Sequence, residues 1–463
     1  MNADVGDDDD GDATASLLFD AARRSADYLG ALGRRAVRPS PAAVTDLARL
    51  ETPLPEAPTD PAIVLSELDT LVAPATMATA GPRFFGFVIG GTLPAALAAN
   101  WLAAAWDQNA AMASVTPGVA RVEAIALGWL VDVLGLPATT EGAFVTGATM
   151  ANFTALAAAR HAVLARAGWD VGADGLIGAP PVTVLTGEEA HPTLLKSLAL
   201  LGFGRRHIVR LPVDSQGRVR AEALPRLSGP TIVCLQAGNI NTGAFDPFAA
   251  ICEPAREAGA WVHVDGAFGL WAQASTQLAR LARGVELADS WATDAHKWLN
   301  VPYDSGLAFV REPGALPAAM AITAEYLPTA GAARNPSDYT PELSRRARGV
   351  EVWAVLRSLG RSGLAEILER NCRQARRFAA RLADAGYEIL NDVVLNQVLV
   401  SFGAPQATQR VIAAVQDDGT CWCGGTVWQG RTAMRISVCS WATTDADVEL
   451  SVEAILRAAR QAG

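Results

Sequence analysis

Lysine is nearly absent from this chain. Of its 38 lysine and arginine residues only Lys196 and Lys297 are lysine, so 38 − 2 = 36 are arginine. Where a positive charge alone is wanted, arginine supplies it. An amine, unlike a guanidinium with its pKa above about 12, can lose a proton when desolvated and add to a carbonyl. Lys297, in the stretch Asp294-Ala-His296-Lys297-Trp298, is therefore a candidate Schiff-base residue; the competing account is a chance remnant of coding bias.

Four other polar clusters each follow an apolar, strand-like run, and ligands of open α/β sheets gather at such strand ends. Thr146-Gly147-Ala148-Thr149-Met150-Ala151-Asn152 leads from Phe144-Val145 into a helix. Free N–H groups with threonine hydroxyls beside them make a phosphate cradle, although the same residues also serve as an ordinary helix cap. His191 lies just before Pro192, where a histidine caps a helix or acts on a ligand. Gly238-Asn239-Ile240-Asn241-Thr242-Gly243 is a polar loop that contacts a ligand or simply turns the chain. Trp261-Val262-His263-Val264 ends in Asp265-Gly266-Ala267, so the Asp265 carboxylate is expected buried and in need of a cation, which one of the arginines would also satisfy. A phosphate cradle, an aromatic ring to stack, a buried carboxylate and one lysine together meet the needs of pyridoxal 5′-phosphate. The lysine carries the aldehyde, and the carboxylate keeps the pyridine nitrogen protonated.

The elements that must position these residues follow from periodicity. Strand-like runs at 142–145, 182–185, 208–211, 231–236, 261–264 and 307–310 are separated mostly by helical ones at 150–167, 192–201 and 247–258. That alternation predicts an α/β domain on a mainly parallel sheet. Upstream, helices are expected over 14–35, 61–71, 93–109 and 117–134, with a proline-rich arm at 39–61. Downstream of about 337, two long helices (343–359 and 364–385), strands near 395–402 and 432–438 and a last helix from 445 read as a smaller α+β domain. The expected division is an acidic disordered tail (1–12), a helical arm (13–80), a large cofactor-binding domain (81–335) and a small C-terminal domain (336–463).

Length and composition narrow the function classes. A chain of 463 residues that is 50% hydrophobic can bury a substantial core. A net charge of −10, part of it in Asp7–Asp10, argues against nucleic acid as a partner. No charged-then-apolar signal segment opens the chain, and runs such as 93–106 are too short to span a bilayer, so a cytoplasmic location is expected. The six cysteines are scattered; Cys421 and Cys423 lack a second pair or a histidine to complete a metal site, so no metal is expected.

In motif order, from about residue 60 to the C-terminus, the chain resembles the group II pyridoxal-phosphate amino-acid decarboxylases, a fold-type-I family acting on aromatic amino acids, histidine, diaminobutyrate and glutamate. The resemblance implies phosphate contacts from Ala148 and Thr149, ring stacking by His191 and ring contacts from Asp265 (at the nitrogen) and Ala267. It also implies His296 near the phosphate and Lys297 as the covalent lysine. Asn239 and Asn241 depart from the family's Gly-Thr-Thr-x-Thr-Gly loop, where Asn241 is the expected cofactor contact. Asp294 departs from a common asparagine, and an acid there would repel the phosphate unless it faces elsewhere. Tyr326 falls where decarboxylases carry a proton-donating tyrosine and aldehyde-forming relatives carry phenylalanine, with Tyr339 its competitor. The arginines of Ser344-Arg345-Arg346-Ala347-Arg348 reach a substrate or a partner subunit, or form interdomain salt bridges. By the same resemblance 84–91 and 106–114 line the substrate pocket, the second from the other subunit of a homodimer. Asn109, Ala111 and Met112 there leave aromatic, aliphatic and polar amino acids all open. The activity implied is α-decarboxylation of an L-amino acid, with aldehyde synthase, aminotransferase or aldolase chemistry as the alternative on one scaffold.

Overall fold

A computed structural model describes residues 8–322 and 334–462. Its larger sheet contains β1 (Glu141–Val145), β2 (Thr183–Gly187), β3 (Val209–Leu211), β4 (Thr231–Gln236), β5 (Trp261–Asp265), β6 (Ser290–Asp294) and β7 (Gly306–Val310). They lie in the order β1-β7-β6-β5-β4-β2-β3. Only β7 is antiparallel, to both β1 and β6. The other six therefore end on one edge of the sheet, which brings Val145, Gly187, Gln236, Asp265 and Asp294 to the same side. Strands covered on both faces read as unbroken apolar runs, as Ile232-Val233-Cys234-Leu235 does.

Strand β6 was not expected from the sequence. Ser290-Trp291-Ala292-Thr293-Asp294 has no β-branched run, yet it is buried throughout because β5 and β7 offer it hydrogen-bonding edges on both sides. Four tryptophans fill the core around it, and each buried indole N–H finds an acceptor, as its desolvation requires. Trp261 donates to Ser290 Oγ (2.8 Å), Trp271 to the Asp294 carbonyl (2.9 Å), Trp291 to the Val285 carbonyl (2.9 Å) and Trp298 to Asn371 Oδ1 (3.0 Å). All four of these bonds fix the β6 strand and the turn after it, where Lys297 sits.

The helices Ala148–Arg166, Pro192–Leu200 and Phe248–Glu257 match their expected positions. The first helix runs Asp8–Ala31 and so takes in 8–12 of the segment expected as a disordered tail. An acidic helix start suits the partial positive charge at that end. The expected helix at 343–359 starts instead at Gly349, because residues 344–348 spend their side chains on cross-links. Arg345 pairs with buried Glu123 (2.8 Å) and donates to the carbonyls of Ala110 and Phe144, and Arg348 pairs with Asp304 (2.8 Å). The arginine-rich segment is thus a set of salt bridges. Gly360, at φ 60°, separates the two halves of Gly349–Asp384.

A second sheet, β8 (Glu388–Ile389), β9 (Gln397–Ser401), β10 (Gly424–Trp428) and β11 (Arg431–Ser437), is antiparallel in the order β10-β11-β9-β8. Helices Pro405–Asp418 and Asp445–Ala462 and the end of Gly349–Asp384 pack on it through Val411, Val452 and Phe378. The Pro405–Asp418 helix and β10 were not foreseen. Among the described residues no helix is long and apolar enough to cross a membrane.

Candidate active site

Lys297 follows β6 in a turn held by Asn300, whose Nδ2 donates to the carbonyls of Trp298 (2.8 Å) and Cys439 (3.1 Å). The glycine-rich stretch 84–91 presses on this turn: a Cβ on Gly90 would stand 2.3 Å from the Lys297 carbonyl oxygen. The amine itself reaches Asp294, with Nζ 2.8 Å from Oδ2. Asp294 does not face elsewhere. Its other oxygen accepts the backbone N–H of Ala148 at 2.5 Å, at the start of the Ala148–Arg166 helix, and lies 3.5 Å from His296 Nε2. His296 Nδ1 accepts the Ser305 N–H (3.0 Å), so in the neutral ring the proton is on Nε2 and faces Asp294. Burial pulls the His296 pKa down, opposed by the Asp294 charge.

The cradle turn is shaped by close backbone approach. A Cβ on Gly306 would lie 2.4 Å from the Gly147 Cα. With Gly147 in extended backbone, the helix start points its N–H groups at the lysine turn, and Thr149 is the next residue along. One N–H of the cradle, that of Ala148, already donates to a carboxyl oxygen, Asp294 Oδ1.

His191 caps the Pro192–Leu200 helix, its Nδ1 2.7 Å from Thr193 Oγ1. Capping and site membership are therefore not alternatives. Burial lowers its pKa; the nearby Asp265 charge acts against that, while Lys297 and Arg435 reinforce it. Asp265 ends β5, fully enclosed, and accepts the Ala267 N–H at 3.2 Å. Among the described residues no lysine, arginine or histidine nitrogen lies within 4 Å of it, so it is not the arginine salt bridge that the sequence also allowed. Burial raises its pKa, with His191 and Lys297 opposing. A buried carboxylate lacking a cation is an incomplete site, and a protonated pyridine nitrogen is the group that completes it. Together with the Lys297 amine and the helix start at Ala148, the donor set fits pyridoxal phosphate.

The structure therefore gathers Lys297, His296, Ala148, Asp265, Ala267 and His191 at the carboxyl ends of β1, β2, β5 and β6. Asn241 is not joined to them by a hydrogen bond: its Oδ1 accepts from Thr426 Oγ1 (3.1 Å), tying the loop to β10. Tyr326 lies outside the described residues. Tyr339 stacks under the Arg334 guanidinium (3.8 Å) and senses the charge of Glu141, at the opposite end of β1 from the cradle. Two groups escaped the sequence reading. Arg435 of β11 is largely desolvated, donates to the Ile240 carbonyl (3.4 Å) and has no carboxylate partner among the described residues. Tyr303 packs on His296, with ring centroids 4.3 Å apart. Nothing in the sequence singles out one arginine of 36.

Residues 44–404 match the family described as the pyridoxal-dependent decarboxylase conserved domain. The chain belongs to this family. It is accordingly a pyridoxal-phosphate-dependent carboxy-lyase. The chain is similar to tryptophan decarboxylase 1 of Oryza sativa subsp. japonica, 28% identical with 92% of this chain and 90% of the relative covered. It is also similar to 4-hydroxyphenylacetaldehyde synthase of Rhodiola rosea, 27% identical over 71% of this chain and 69% of the relative. A crystal structure of Oryza sativa TDC with PLP and tryptamine superposes with a TM-score of 0.90, covering 100% of this chain and 99% of that one at 24% identity. The likeness bears out the expected fold-type-I α/β architecture.

Proposed function

We propose that the chain removes the α-carboxyl group of an L-amino acid as CO2 and releases the amine, with Lys297 as the covalent attachment point of the cofactor. The observation that carries the reading is the placement of the Lys297 amine and of a buried carboxylate with no cation beside it among the described residues at the ends of the adjacent parallel strands β6 and β5. When bound, pyridoxal phosphate supplies an electron-withdrawing ring that accepts the electron pair left as CO2 departs. Asp265 holds a proton at the ring nitrogen. His191, kept neutral by burial, offers a flat face for stacking without adding charge. Ala148 and Thr149 bind the phosphate through the helix start, Ala267 and His296 contact the ring and phosphate sides, and Asn241 shapes the wall toward β10. Arg435, a desolvated cation without an acidic partner among the described residues, draws in the substrate carboxylate. Tyr326 returns the proton to the α-carbon.

The active unit is proposed to be a cytoplasmic homodimer, divided as arm 13–80, large domain 81–335 and small domain 336–463. Phe19, Trp101, Leu102 and Trp106 stand well exposed on one chain and are the apolar surface a second copy would cover. Incubating the cofactor-loaded protein with a panel of L-amino acids tests the reading. Stoichiometric amine and CO2 without peroxide supports it; aldehyde with peroxide replaces it by the oxidative reaction.

A further inference from the structure

Beneath Asp265 lies a run of hydrogen bonds that the proposed chemistry does not use. Trp261, His263 and Asp265 occupy alternate positions of β5 and so share one face of the sheet. Ser290 of β6 is directly opposite His263, and Asn152 stands on the first turns of the Ala148–Arg166 helix above them. The Trp261 indole N–H donates to Ser290 Oγ (2.8 Å), Ser290 Oγ meets His263 Nδ1 (2.9 Å), and His263 Nε2 meets Asn152 Oδ1 (2.8 Å). His263, Ser290 and Asn152 are all completely buried. The Asn152 Nδ2 is buried and makes no hydrogen bond among the described residues, and its nearness to Asp265 favours the charged form of that carboxyl.

The proton positions in this run are set by elimination. An indole nitrogen can only donate, so one lone pair of Ser290 Oγ is taken and its hydroxyl proton is free for His263 Nδ1. His263 is neutral, burial having pushed its pKa down to about 3, so it carries a single N–H. If that N–H were on Nδ1, Nε2 would be an acceptor and the amide would have to turn its NH2 toward the histidine. The amide oxygen would then face a carboxylate with nothing between them. The alternative pairs Ser290 O–H with Nδ1 and Nε2–H with Asn152 Oδ1, and leaves the amide N–H groups rather than the amide oxygen on the side of Asp265. All donors point one way, toward the carboxylate.

We infer that His263 is a positioning residue: its imidazole, oriented by Ser290, locks the Asn152 amide with its N–H groups toward Asp265 and so holds that carboxylate anionic opposite the cofactor ring. The inference rests on the reading of Asp265 as the ring-nitrogen partner. Besides Asn152, the groups facing Asp265 are His191, Lys297 and the Cys234 thiol of β4.

The test uses the cofactor-loaded enzyme. In His263→Leu the amide is free to turn its oxygen to Asp265. Infrared difference spectra at neutral pH should then show a protonated-carboxyl C=O band that is absent from the parent and absent from the His263→Leu/Asp265→Asn double variant. With more of Asp265 protonated, kcat should fall about tenfold with KM unchanged. His263→Gln, which keeps an N–H near the Nε2 position, should restore most of both. Asn152→Leu should reproduce the loss, and adding His263→Leu to it should cost nothing more; this pair serves equally if His263→Leu alone does not fold. No carboxyl band with kcat within twofold of the parent would overturn the inference, as would a Gln variant as impaired as Leu or fully additive losses. If Asp265→Asn itself left turnover intact, the reading of the site would fall first. A crippled Asp265→Asn beside an unaffected His263→Leu would remove the inference alone.

Discussion

Replacing Asp294 by asparagine should tighten cofactor binding. The carboxylate sits against the helix start that the phosphate needs, 2.5 Å from the Ala148 nitrogen, and it is almost fully enclosed. A phosphate held by the same N–H groups would come within roughly 4 Å of it. Two unit charges at that distance interact by about 4 kcal/mol at the effective dielectric of a protein site. The Lys297 ammonium beside Asp294 offsets part of this, and half the figure, about 2 kcal/mol, is a reasonable net repulsion. The second effect has the same sign. In the cofactor-free protein the 2.8 Å contact ties the Lys297 amine to Asp294, and that contact must break before the amine can reach an aldehyde. Asparagine removes the charge, keeps an oxygen for the Ala148 N–H and occupies the same volume. Equilibrium titration of cofactor-free protein, followed by quenching of tryptophan fluorescence, should give a Kd about ten to a hundred times lower for the variant, at 1.4 kcal/mol per factor of ten. Equal or weaker binding would refute the reasoning, and Asp294 would then be a residue that aims the lysine rather than one that opposes the phosphate.

Other expectations follow from the same geometry. Lys297→Arg should abolish the visible absorbance of lysine-bound cofactor and its trapping by borohydride while leaving the far-ultraviolet circular dichroism unchanged, since only one side chain, already paired, is altered. Tyr326→Phe should slow amine release and divert product toward aldehyde and peroxide; unchanged amine output would remove Tyr326 from the mechanism. The acid limb of stability should carry the signature of His263. Its pKa is about 3 when folded against about 6.5 when unfolded, so its contribution is intact above pH about 6.5 and is lost as the unfolded chain takes up a proton below it. That loss amounts to about 3 kcal/mol at pH 4.5 and about 4 kcal/mol by pH 3, at 1.36 kcal/mol per unit. Urea midpoints at pH 7 and pH 4.5 should therefore converge in His263→Gln relative to the parent.

The candidate lysine, the cradle and Asp265 were legible because each is a local event: a rare residue type, a small-residue turn after an apolar run, an acid ending a strand. Their convergence was legible too, since parallel strands deliver their carboxyl ends to one edge. β6 was not, because its residues form a strand only between two others. The same difference separates the roles that sequence assigned from those it left open. Asn241 was expected to contact the cofactor, yet its side chain is tied to Thr426, which is 185 residues away and arrives through β10, itself invisible to periodicity. Arg435 looks like any exposed strand arginine until the second sheet brings it close enough to His191 for its charge to be felt there.

Asp294 and His263 make the sharper case. Both were in plain view, Asp294 as an acid beside a phosphate site and His263 as a polar residue inside an apolar strand. What each does depends on a neighbour supplied by another element. Asp294 meets the Ala148 N–H only because β7 lies between β1 and β6, letting the cradle turn fold over toward the end of β6. His263 reaches Asn152 only because the Ala148–Arg166 helix crosses β5 as it leaves the cradle. One helix thus offers its first N–H groups to the phosphate side of the site and an amide from its second turn to the ring side. A shift of that helix would disturb both ends together, so cofactor affinity and the charge on Asp265 are expected to change jointly in variants that loosen the packing of Ala151 or Ala155, rather than one at a time.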